Sequence, residues 1–92
     1  MDVEKLLSDK EKEYGPAVEN MKAIAATWTW FLRRKALLPD GVKLEADDVC
    51  IMMTLFKISR EAGKRKPDFE NYIDSAGYMS IGMQYLKSKE AK

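Results

Sequence analysis

The sequence contains no histidine and a single cysteine, Cys50. Without histidine, the commonest zinc ligand and the commonest general base are both missing, so the ordinary catalytic triads are excluded. One cysteine cannot close an internal disulfide. Its place in the apolar run VCIMMTLFKI suits a small core residue in a reducing cytoplasm. Long hydrophobic runs are missing too, since no apolar segment approaches the roughly 20 residues that span a bilayer. The leading segment MDVEKLLSDKEKEYG lacks the apolar stretch of a signal peptide. A cytoplasmic chain without a membrane partner is the expectation. Charge of one sign is also scarce: the net value is +1, which argues against duplex nucleic acid as a partner. No motif calls for a cofactor or a bound metal.

What is present fits one all-α domain over residues 1–92. At 46% hydrophobic and 34% charged residues the chain is of folded composition, and nothing alternates with period two for long enough to make a sheet. A chain of 92 residues buries only about 60–65% of its unfolded surface, so a homo-oligomer is expected. The pattern predicts a compact bundle of four helices. A charged leading helix covers residues 1–14, and Gly15-Pro16 is expected to break and restart the chain. A second helix runs from about Pro16 to Ala36, with Ala17, Met21, Ile24, Trp28, Phe31 and Leu32 as its apolar stripe. Trp30 lies outside that stripe, either as an anchor for a partner or on a second packing surface.

Asp40-Gly41 marks a turn in the following loop. The third helix starts near Ala46, with Glu45, Asp47 and Asp48 at its positive end. Val49, Ile51, Met52, Met53, Leu55, Phe56 and Ile58 cover most of its circumference, which predicts a central helix enclosed by neighbours. Gly63 stops it, Lys64–Lys66 form a basic run that is a solvated loop or an anion contact, and Asp68 caps the last helix. That helix runs from about Phe69 to Lys89, with residues 87–92 as a frayed polar tail.

The last helix has two faces. Phe69, Tyr72, Ile73, Ala76, Met79, Ser80, Met83 and Leu86 form the expected core stripe. Asp74, Tyr78, Ile81 and Tyr85, flanked by Gly77 and Gly82, form a second. Glycines inside a helix cost about 1 kcal/mol each relative to alanine, so close approach by a helix or a ligand is the expected reason for them. Asp74 needs a base nearby, and Lys57 or Arg60 is the natural one. The result is either an internal ion pair, or a carboxylate that orients those cations toward an anionic group on which Tyr14, Tyr78 or Tyr85 stacks.

The segments EYGPAVEN (13–20), AIAATWTWFL (23–32), DVCIMMTLFKISR (48–60) and DSAGY (74–78) together resemble a family of small phage and prophage domains of unknown function (DUF6378). Glu45-Ala46 departs from that pattern, standing where relatives have a Thr-Pro-like cap. The segment before Tyr14 also lacks the family's Gly-Asp-Arg-like lead-in. The resemblance implies phage origin, hence a host cytoplasm, and an all-α fold. It also implies a polar set of Tyr14, Asn20, Lys57, Arg60, Asp74 and Tyr78 as the ligand-binding residues.

Three functions are weighed. The first is a non-catalytic binding protein that sequesters a nucleotide-like or other anionic ligand, for example in counter-defence. The second is an effector that binds and inhibits a host enzyme or defence component through Trp30, Lys64–Lys66 and the last helix's second face. The third is a magnesium-dependent nucleotide pyrophosphohydrolase-like enzyme. It is disfavoured because Asp48, Glu70 and Asp74 do not form the paired carboxylate motif that such a site needs.

Overall fold

A computed structural model describes the backbone of residues 3–90 and the side chains of residues 15–90. The fold is all-helical, with α1 (Val3–Arg34), α2 (Ala46–Ala62) and α3 (Phe69–Glu90). Three helices replace the expected four, because α1 runs straight through Gly15-Pro16. Proline's fixed φ is compatible with a helix, and the cost is one lost backbone hydrogen bond plus a clash, about 3 kcal/mol. Strong helix formers on both sides (DKEKEY and AVENMKAIAA) carry the helix across that local loss.

Each remaining boundary follows from local chemistry. α1 ends on Arg33 and Arg34, which suit the negative end of the helix. Its C-terminus closes as a Schellman motif: the Leu37 N–H donates to the Leu32 carbonyl at 2.8 Å and the Ala36 N–H to the Arg33 carbonyl at 3.0 Å. Ala36 takes the left-handed position at φ 56°, where glycine is the usual residue. The predicted turn is present, with the Val42 N–H on the Pro39 carbonyl at 3.2 Å and Gly41 at φ 82°, as a type II turn requires. α2 starts where expected, and the Asp48 carboxylate accepts the Glu45 N–H at 2.9 Å. Asp68 caps α3 by accepting the Glu70 N–H at 3.1 Å. The Glu61 carboxylate accepts the Asp68 N–H at 3.0 Å and so fixes the turn between α2 and α3.

α2 and α3 form an antiparallel hairpin, and α1 packs more lightly against both. The pairs Cys50–Gly82, Lys57–Asp74 and Glu61–Asn71 keep one register along the hairpin. Gly82 sits at the closest approach, where a Cβ on it would lie 3.2 Å from the Cys50 Cβ. The expectation of close approach therefore holds at Gly82. It fails at Gly77, where an added Cβ meets nothing within 4 Å. Burial pushes the Cys50 thiol up to about 11, with the Asp47 charge adding to the shift.

The core is small: Met21, Ala25, Ala46, Val49, Cys50 and Tyr85, with Val18, Ile24, Trp28, Leu44, Met53, Tyr78 and Ile81 packed around it. The predicted stripe of residues 17–32 is buried mainly at Met21, and Phe31 is exposed. Two larger corrections concern α2 and α3. Ile51, Met52, Leu55, Phe56 and Ile58 are exposed, so α2 is not an enclosed central helix. On α3 the two faces are exchanged. Tyr78, Ile81, Gly82 and Tyr85 turn inward, while Phe69, Tyr72, Ile73, Met79, Met83 and Leu86 are open to solvent. The smaller face wins because Gly82 lets the backbones of α2 and α3 approach, which a bulky stripe would prevent.

The outcome is a slab, 47 × 43 × 17 Å, with a radius of gyration of 15.1 Å. A compact chain of this length has a radius near 12 Å, so the expected compact bundle is not what one chain forms. Among the described residues, no helix is long and apolar enough to cross a membrane.

Candidate functional site

The expected polar set is only partly assembled. Lys57 and Asp74 do meet across the hairpin, Nζ to Oδ2 at 3.1 Å, and the lysine is mostly buried. Asp74 thus finds its base in Lys57 and not in Arg60, whose guanidinium lies 5.7 Å from the centre of the exposed Phe56 ring. Tyr78, one turn on from Asp74, is half-buried and packs against the core. Asn20 is exposed on α1. The side chain of Tyr14 lies outside the described residues. A shallow apolar groove passes Lys57, lined also by Ile58, Glu61, Asn71 and Tyr72. Glu61 and Asn71 are occupied with each other and with the Asp68 N–H, so little polar capacity faces that groove.

A different place gathers charge. The last turns of α1 project Lys22, Ala26, Trp30, Arg33 and Arg34 at steps of four, four, three and one, along one side of the helix. The connection after the Pro39–Val42 turn folds back along that side and brings Lys43 opposite. Two bonds hold it there. Thr29, 5% exposed, accepts the Leu44 N–H on Oγ1 at 2.9 Å, and Arg33 donates to the Val42 carbonyl at 2.7 Å. Between helix and connection lies an open cleft of about 680 Å³ floored by Thr29, Ala46 and Tyr85.

Four cations line this cleft, Lys22, Arg33, Arg34 and Lys43, against one carboxylate, Glu45. That carboxylate is already engaged by Lys89 at 3.0 Å. The same lysine hydrogen-bonds Glu45 and holds its carboxyl below the usual carboxylate range, and Glu45 in turn raises the Lys89 ammonium. Lys89 also lies 5.4 Å from the Tyr85 ring centre. Lys22 shares its charge with Glu19 at 3.1 Å. Arg34 and Lys43 are exposed, and Trp30 stands beside them with 63% of its surface open. The sequence pattern set Trp30 apart from the apolar stripe but did not show the cleft. The spacing of Lys22, Ala26, Trp30 and Arg33 was the available signal. Lys43, the partner across the gap, is brought there only by the chain reversal.

The carboxylates weighed for a metal site are dispersed. Asp48 serves the start of α2, Asp74 holds Lys57, and Glu70 is exposed at the start of α3. Among the described residues, no three His, Cys, Asp or Glu side chains are grouped so as to hold a metal ion.

Comparison with known proteins gives one family and one curated relative to report. The profile of a family described as "Domain of unknown function (DUF6378)" matches residues 2–86. The chain is similar to the "Gene 55 protein" of Mycobacterium phage L5, at 34% identity over 74 residues, covering 78% of this chain. It spans only 41% of that relative's length. No solved structure matches.

Proposed function

Since the chain belongs to the DUF6378 family of domains of unknown function, we propose from its own geometry that it is a non-catalytic binding protein for an anionic, ring-bearing small molecule, a nucleotide or nucleotide-like compound. The observation that carries this reading is the open face of Trp30 beside Arg33, Arg34, Lys22 and Lys43 over one cleft. Arginine offers a planar fork that matches phosphate oxygens, and an exposed indole stacks on a flat ring regardless of its identity. The cleft volume lies within the range of small-molecule sites. Sequestration of such a ligand, in counter-defence for instance, requires binding alone. The site moves from the Lys57–Asp74 pair, which is closed on itself, to the α1 cleft. The protein acts as an oligomer of this chain, in a cytoplasmic setting.

Thermal unfolding with nucleoside mono-, di- and triphosphates, cyclic nucleotides and inorganic phosphate tests the reading. A ligand at a hundred times its Kd stabilises by about 2.7 kcal/mol, which raises the melting temperature of a domain this size by roughly 10–20 °C. Trp30→Ala and Arg34→Ala should each remove most of that shift. No shift with any nucleotide, or a shift that survives both substitutions, sinks the proposal.

The effector reading retains Trp30 and the exposed Lys64–Lys66 run as contacts but loses the second face of α3, which is turned inward. Retention of one host protein on immobilised chain, with no nucleotide response, would favour it. Magnesium-dependent release of pyrophosphate from a nucleoside triphosphate would overturn both.

A further inference from the structure

The apolar surface left open by the α2–α3 hairpin has a regular pattern. On α3, Phe69, Tyr72, Ala76, Met79, Met83 and Leu86 recur at steps of three, four, three, four and three. On α2, Ile51, Leu55, Ile58 and Ala62 recur at four, three and four. All ten are exposed. These are the alternating three- and four-residue steps of a coiled-coil seam, the pattern that interlocks with another helix side chain by side chain. Both seams lie on one side of the hairpin. Two shallow grooves run between them, one bordered by Ile51, Met79, Met83 and Leu86, the other by Ile58, Ala62 and Tyr72. No acidic or basic residue interrupts either seam.

We propose that this side of the hairpin is the interface with a second copy of the chain, in which two hairpins pack about a two-fold axis as a four-helix bundle. The inference names the surface behind the oligomer just proposed and rests on that reading, but it does not depend on what the cleft binds. Three observations select a second copy as occupant. The first is area: the eight large side chains of the two seams are 40–74% exposed and together leave on the order of 900 Å² open, which matches the roughly 800 Å² that each partner of a stable interface buries. The second is permanence. Among the described residues a core of six leaves the main hydrophobic stripe of α3 in water, which suits a partner that is present whenever the chain is folded. The chain itself always meets that condition. The third is self-complementarity: the seams themselves carry no charge, and the grooves between them carry both signs, Asp47, Glu61 and Glu90 against Lys57 and Lys87, so the surface can face its own copy. Two antiparallel helices with outward seams, paired with the same two at about 20°, give ordinary bundle packing.

Sedimentation of the full chain should give twice 10.6 kDa. Its urea midpoint should rise with protein concentration, each tenfold step adding about 1.4 kcal/mol of stability. Met79→Glu should abolish the dimer, whereas Met52→Glu, exposed on the same hairpin but off the seam, should leave the mass unchanged. If Met79→Glu alone proves unfolded, mixing it with Met79→Lys should restore helical signal and a dimeric mass. A monomer with a concentration-independent midpoint overturns both the oligomer and this surface. An oligomer that survives Met79→Glu, or one larger than a dimer, keeps the oligomer but overturns the two-fold hairpin interface.

Discussion

Replacing Thr29 by valine tests whether the cleft wall is held in the way described. The two side chains have the same shape and similar helix propensity, so the change removes one oxygen and little else. That oxygen accepts the Leu44 N–H at 2.9 Å and ties the connection between α1 and α2 to the helix. A neutral hydrogen bond contributes about 1 kcal/mol net, and a buried donor left without a partner costs about 1–3 kcal/mol. Thr29 is 5% exposed but Leu44 is only half-buried, so water reaches the freed N–H in part. The expected loss is therefore about 1–2 kcal/mol, or roughly 4–16 °C in melting temperature. Urea unfolding at fixed protein concentration measures the global term. Amide exchange locates it: Leu44 should lose protection by more than the global change, while the Val49 amide inside α2 should follow the global change only. Unchanged stability with unchanged Leu44 protection would refute the role assigned to Thr29.

Other substitutions follow from particular backbone and charge features. Ala36→Gly should stabilise by about 0.5–1 kcal/mol in the same unfolding assay, because Ala36 occupies a left-handed position that costs an alanine about 1–2 kcal/mol. The two glycines of α3 should behave oppositely. Gly77→Ala should gain up to about 1 kcal/mol of helix propensity, while Gly82→Val should lose about 1–3 kcal/mol by forcing α2 and α3 apart at Cys50. The folded Glu45 carboxyl is lowered by Lys89 from its ordinary 4.5, so its stabilisation is complete above that value and lost as pH falls through the lower folded pKa. The difference in melting temperature between wild type and Glu45→Gln should accordingly shrink as the pH is taken below about 4.5.

Helix ends were readable because they depend on a few adjacent residues. Ala46, Gly63, Asp68 and Phe69 all stand where local capping chemistry puts them. The partner of Asp74 was readable in part: an acid beside apolar residues requires a base, the spacing offered Lys57 or Arg60, and only the structure selects Lys57. Gly15-Pro16 misled because a proline's local cost says nothing about the helix formers on either side. The exchange of faces on α3 was not readable from periodicity, which shows that a stripe is buried without showing against what. The stripe from Phe69 to Leu86 has the pattern of a core face, yet among the described residues nothing covers it. The cleft escaped notice for a related reason: Lys43 and Trp30 are far apart in sequence, and only the reversal at Pro39–Val42 brings them together.

The tight contact at Gly82 also makes the lone cysteine a clock. Cys50 is 1% exposed, and its thiol is held up near 11. At neutral pH it is thus both protonated and enclosed between two helix backbones. An alkylating reagent reaches it only when its surroundings open, by separation of α2 from α3 or by widening of the groove that Cys50 lines with Ile51, Met79 and Met83. The labelling rate therefore counts those openings without any engineered probe, and comparing it across protein concentrations reports how often they occur in each state of association.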